Sequence, residues 1–201
     1  MLDRPTRALI RLAAAIARGD EPVIDRVARE AVADGVSVLW GDELLLQSVL
    51  MVGYPRALGA ARQWREVTGA PAASLEDGGD LAQAGAWRAR GEATCGVIYG
   101  ANYAKLRANV AALHPALDAW MVTEGYGRTL SRPGLDLMRR EFAIVAQVMV
   151  LGAERQLHSH LKGARHAGAS TALVQDAIRA AGPLAGSEAV AMAERLLDRI
   201  G

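Results

Sequence analysis

Apolar residues along this chain recur at the three- and four-residue spacing of helices, and nowhere do they alternate with polar ones over the length of a strand. The pattern predicts a helix over about Thr6–Arg18, stopped by Gly19, and a second over Pro22–Asp34, stopped by Gly35. A glycine just past a helix adopts the left-handed stop without a steric penalty. A third helix is expected over Asp42–Val52 before Gly53, and Pro55 suits the first turn of a fourth reaching Val67. Residues 69–84 are rich in Ala, Gly, Ser and Asp and read as a loose connection, the one linker in the chain. Further helices are expected over Trp87–Ala93, Ala101–Ala112 and Pro115–Glu124, followed by a turn region over Gly125–Pro133. The last four are expected over Leu135–Leu151, Glu154–Ala167, Thr171–Ala181 and Ser187–Ile200, so the expected fold class is all-α.

The helix stops repeat. Moving the N-terminal segment by 133 positions matches Arg7 with Arg140, Gly19 with Gly152, Glu21 with Glu154 and Gly35 with Gly168, without a gap. It also matches Ser37 with Ser170, Gly53 with Gly186, Ala60 with Ala193 and Arg62 with Arg195. A chain rich in Ala and Gly produces chance matches, but these glycines fall where helices are independently expected to end. An internal duplication follows: a degenerate copy over 1–69, a linker and connecting helices over 70–133, and a second copy over 134–201.

Charge and cysteine content narrow the function classes. Lys and Arg number 23 against 22 Asp and Glu, a net charge of +1, which supplies no field to gather nucleic acid or an anionic membrane. The lone Cys95 has no partner for a disulfide, a redox pair or a thiolate metal site, which suits a reducing cytoplasm. No signal-peptide pattern opens the chain. The run Phe142–Leu151 is about half the length of a membrane span and reads as a core helix.

Candidate chemistry lies in the second copy. On the helix from Glu154, the residues Ala153, Leu157, His160, Leu161 and Ala164 form one stripe, while His158 points about 160° away among Arg155, Lys162 and Arg165. Rings that diverge on a helix do not chelate as a His-x-His on a strand does, so no metal is expected from His158, His160 and His166. An imidazole on an apolar face needs a hydrogen-bond partner. Glu141, on the preceding helix with Ile144, Val145 and Val148, meets it if the two helices pack antiparallel through a turn at Gly152. A carboxylate beside an imidazole favours its protonated form and suits general acid or base work. The residues alone leave a second reading open, a solvated helix-start glutamate and a satisfied core histidine. In the first copy the matching positions hold Ala8 and Val27.

The stretch from Arg139-Arg140-Glu141-Phe142 through Gly152 to His160-Leu161-Lys162-Gly163-Ala164 and Gly168-Ala169-Ser170 resembles the core of the carboxymuconolactone decarboxylase family, which includes the AhpD-like alkylhydroperoxidases. The segment Tyr126–Asp136 is similar to the entry into that core, and Leu46-Gln47-Ser48 with Gly53–Ala57 to its later helices. The resemblance implies an AhpD-like helical bundle with an internal duplication, a site using Glu141 and His160, and homo-oligomers. A trimer would supply the six core copies common in the family, and a dimer of such units is the other assembly expected. The peroxidase branch carries Cys-x-x-Cys where this chain has Ala153 and Gln156, so a peroxidase label would lack its nucleophile. Cys95 is expected to be a small buried apolar residue.

The decarboxylase branch implies acid–base chemistry on a small carboxylated lactone or related anion, with no cofactor. His160 would donate the proton and Glu141 orient it, while Gln156, Arg132 and Arg128 would bind substrate. The alternative is a non-catalytic oligomeric binding or scaffold protein, since the first copy lacks the pair and Leu173 stands where an acidic capping residue is expected after Ser170.

Overall fold

The computed structural model describes residues 1–71, 73 and 79–200. Its helices are α1 (Arg4–Arg18), α2 (Glu21–Ala33), α3 (Val38–Thr68), α4 (Ala84–Tyr99), α5 (Tyr103–Leu113), α6 (Pro115–Trp120), α7 (Leu137–Val150), α8 (Glu154–His166), α9 (Thr171–Ala185) and α10 (Ser187–Asp198). No strand occurs among the described residues, so the fold is all-α. The chain divides into two compact units, Met1–Ala72 with Gly134–Gly201, and Ala73–Pro133.

In the first unit the helices begin in register with the offset of 133: α1 and α7 at residues 4 and 137, α2 and α8 at 21 and 154, α3 and α9 at 38 and 171. The caps recur with them. Asp3 and Asp136 accept from the amides of Thr6 and Arg139, and Ser37 and Ser170 from those of Trp40 and Leu173. Gly53, with φ 72° and ψ 170°, breaks α3 where Gly186, with φ 92° and ψ 160°, separates α9 from α10. No side chain but glycine's tolerates that conformation without strain, which is why the match falls there.

Helices α1 and α7 pack against each other at the centre, and α3 and α9 each touch both, so each half closes on the first helix of the other. All residues of α7 from Arg140 to Met149 are buried. Ring volume is exchanged between the halves. In the first, buried Trp64 lies across Gly41, where a Cβ would stand 2.2 Å from the indole; in the second the matching positions hold buried Val174 and Leu197. Close packing tolerates either combination but not the sum of the larger members.

Helix α3 spans 31 residues and reaches a mean hydropathy of 1.2, apolar and long enough by composition alone to cross a membrane, which the expected run lengths did not foresee. The break at Gly53, the buried Glu43, Gln47 and Ser48, and the packing on α1 and α7 are those of a core helix.

In the second unit α4 runs on to Tyr99, beyond the Ala93 expected, and the expected turn over Gly125–Pro133 is replaced as far as Leu130 by a π-helical stretch, Met121–Leu130. Gly91 and Gly127 lie where two backbones meet: a Cβ on Gly91 would stand 2.0 Å from the Val122 carbonyl oxygen, and one on Gly127 1.9 Å from that of Trp87. These glycines permit the close approach, and Gly127 does so within the helical stretch rather than in a turn. Of the loose connection expected over 69–84, residues 72 and 74–78 lie outside the described residues, and Leu81–Gln83 forms a turn of 3-10 helix.

Gly41→Ala is expected to destabilise the protein by about 1–3 kcal/mol through the clash with Trp64. An unchanged denaturant midpoint would contradict this packing.

Candidate active site

Glu141 is the fifth residue of α7, and the turn that follows that helix directs its partner toward it. The Gly152 amide donates to the Met149 carbonyl and the Ala153 amide to that of Val148, the paired bonds of a left-handed helix stop, with Gly152 at φ 65°. The chain reverses there and α8 returns along α7. On α8 the expected stripe is the buried one: Leu157, His160, Leu161 and Ala164 face inward.

The two side chains meet. His160 Nδ1 lies 2.9 Å from Glu141 Oε2, the carboxylate fully buried and the histidine 6% exposed. Because the carboxylate engages Nδ1, Nε2 is the nitrogen left for a substrate. The other carboxylate oxygen, Oε1, is buried and has no hydrogen-bond partner among the described residues. A carboxylate taken out of water loses several kcal/mol of hydration, so the contact with the imidazole is what makes its burial tolerable.

The rotation of α7 about its axis is held by residues that sequence reasoning passed over. The buried Arg140 guanidinium donates to Glu43 Oε2 at 2.7 Å, to Gln47 Oε1 at 3.1 Å and to the Leu135 carbonyl at 3.0 Å. One step further along α3, Gln147 donates to Ser48 Oγ at 2.7 Å. With Arg140 committed to α3, the next residue points about 100° away, toward α8. The signal was present in the repeat: Arg140 and Glu43 match Arg7 and Asp176, which also approach each other, at 3.6 Å and partly exposed. A charged pair preserved across both halves marks an interface between them.

The other sequence-predicted residues fall elsewhere. Gln156 is exposed and lines an open groove between α8 and the end of α10, and Ala153 is half-buried. His158, on the opposite side of α8 from His160, lines the same groove. Arg128 and Arg132 belong to the second unit, where Arg128 pairs with Glu124 at 2.9 Å and stacks 5.0 Å from the centre of the Trp87 ring. Cys95 is buried in that unit as well.

These features define a class: an all-α protein in which one helical core is repeated and only the second carries a buried acid–imidazole pair. The carboxymuconolactone decarboxylase family pattern matches residues 1–66 and 115–199, three quarters of the chain, and the protein belongs to that family. The matched segments include both halves of the first unit, as two tandem copies of the core require. A search of curated proteins finds no match.

Two outcomes are expected from this geometry. Burial works against the charge on the Asp136 carboxylate, but hydrogen bonds from the Arg139 side chain and amide outweigh it and hold its pKa below the ordinary 3.8. The stability it confers on α7 is therefore complete above that value and lost as pH falls through the lower, folded-state pKa. Asp136→Ala is expected to cost about 1 kcal/mol at pH 7 and less at pH 2; the same cost at both pH values would contradict the assignment. Glu43→Gln, which removes the charge beside a fully buried guanidinium, is expected to cost about 3 kcal/mol or more. Asp176→Asn, at the partly exposed counterpart, should cost less, about 1 kcal/mol, and equal losses in chemical denaturation would contradict the distinction.

Proposed function

We propose that the protein is an acid–base enzyme that uses no cofactor and decarboxylates a small carboxylated lactone or related anion at His160. The observation carrying this reading is the 2.9 Å contact between Glu141 and His160, absent from the first half, where buried Ala8 and Val27 take the two positions. A pair kept in one copy and replaced by apolar side chains in the other is not needed to hold the fold.

In the proposed step the bond from carbon to the departing carboxylate breaks, carbon dioxide leaves, and the electron pair enters an extended enolate conjugated with the lactone carbonyl. The imidazolium of His160 places its Nε2 proton on carbon, and the ring then keeps its Nδ1 proton toward Glu141. Glu141 offsets the charge of the imidazolium before transfer and fixes which nitrogen faces substrate. Self-association, with a trimer supplying six cores, belongs to the same reading.

The test is consumption of a carboxylated lactone with equimolar release of carbon dioxide. His160→Ala is expected to lower kcat by about 100-fold or more with the thermal transition retained, and Glu141→Gln to lower kcat more than it changes KM. Equal turnover by His160→Ala would remove the imidazole from the reaction.

A second reading, a non-catalytic binding protein, is favoured by one observation: the groove on α8 that opens widely to solvent is lined by neither Glu141 nor His160. It predicts that the lactone binds without being consumed and that His160→Ala leaves its affinity unchanged.

A further inference from the structure

The groove between α8 and the end of α10 lies outside the acid–imidazole pair, and its residues acquire meaning from the repeat. In the first half, the matching surface is acidic and internally paired. Asp25 binds Arg29 through two hydrogen bonds of 3.0 and 2.9 Å, Glu66 binds Arg62 at 3.1 Å, and Asp20 caps α2. In the second half the cations of those pairs persist, as Lys162 for Arg29 and Arg195 for Arg62. Their carboxylates do not. His158 stands for Asp25, Arg199 for Glu66, Ala153 for Asp20, and Arg155 replaces Pro22.

The exchange leaves positive charge without an internal answer. Arg155, Lys162 and Arg199 hold no ion pair among the described residues, whereas Arg26, Arg29, Arg62, Arg65 and Arg88 each pair with an acid on their own helix. His158 and Arg199 line the groove together, and burial, reinforced by Lys162 and Arg199, pushes the His158 pKa below its ordinary value. Ser159 adds a hydroxyl to the lining, and Glu154 is its acidic member. The groove has a volume of about 730 Å³, room for a small organic molecule as well as its anionic group.

We propose that this groove binds a doubly charged oxyanion, the phosphate group of a small molecule, between Arg155, His158 and Arg199. Two guanidiniums present the planar donor forks that phosphate oxygens accept, and the imidazole contributes a third donor when protonated. The ligand thus supplies the negative charge that the first half carries as Asp25 and Glu66. The site is independent of the reaction proposed at His160, and its failure or success bears on neither Glu141 nor His160.

Binding of a dianion beside His158 favours the charged ring, so it must raise the pH at which the ring titrates. The test follows the ring protons of His158, assigned by their loss in His158→Gln, through a pH titration of the full chain in inorganic phosphate and in chloride of equal ionic strength. The charged groups facing the ring are Glu154, Arg155 and Lys162 on its own helix and Arg199 beyond α10, and these remain constant between the two salts. Phosphate is expected to raise the midpoint by about half a unit or more, acetate by less, and the Arg155→Ala, Arg199→Ala double variant to abolish the rise. Arg155 and Arg199 are both exposed, so the thermal transition of the double variant is expected to be unchanged. An identical midpoint in phosphate and chloride, an equal response to acetate, or a rise that survives in the double variant would overturn the proposal.

Discussion

A carboxylate sealed inside a helical core has to be met by a donor, and the first unit is arranged around meeting two of them. Glu43 is answered by the Arg140 guanidinium, and Glu141, the residue after that arginine, by His160. Because these two bonds leave α7 in different directions, the guanidinium bond to α3 and the imidazole bond to α8 together allow the helix one rotation. The apolar residues of α7 would permit others, since every position from Arg140 to Met149 is buried and hydrophobic contact is non-directional. Polar bonds, with their distance and angle requirements, supply the direction that packing lacks.

Duplication explains why the same place holds an acid–imidazole pair in one half and apolar side chains in the other. The turns and caps recur at an offset of 133 because they are properties of the backbone, and the large and small core residues can trade places between halves so long as their combined volume is kept. The acid–imidazole pair is subject to neither requirement. Ala8 and Val27 fill its place in the first half with side chains that need no partner, and the fold is unaffected. The helical core thus accommodates either a polar or an apolar pair at this place, as a well-packed apolar pair can serve stability as well as a buried ionic one.

Much of this was legible in the sequence because it rests on local signals. Gly19, Gly35, Gly53 and Gly186 mark helix ends through their own backbone conformation, and the stripe of Leu157, His160, Leu161 and Ala164 follows from helical periodicity alone. Even the approach of Glu141 to His160 needed only a short turn at Gly152. What could not be read depends on contacts distant in sequence. Gly127 looks like a turn residue until it is seen against the carbonyl of a facing backbone, and Glu43 looks like an ordinary surface acid until Arg140, 97 residues away, is placed beside it. Gln156 and His158 share a helix with His160, yet the sequence held no sign that α10 would form a groove with them.

The proposed chemistry depends on which ring nitrogen of His160 carries the proton when the imidazole is neutral, because only an Nδ1–H donated to an ionised Glu141 leaves Nε2 free to exchange a proton with substrate. Nitrogen-15 chemical shifts of the labelled ring, recorded across its titration in the intact protein, report this directly. The expected result is an Nδ1 that remains protonated on both sides of the transition, with Nε2 the nitrogen that titrates, and loss of that preference in Glu141→Gln. A neutral ring protonated at Nε2, with Nδ1 bare toward the carboxyl group, would contradict it.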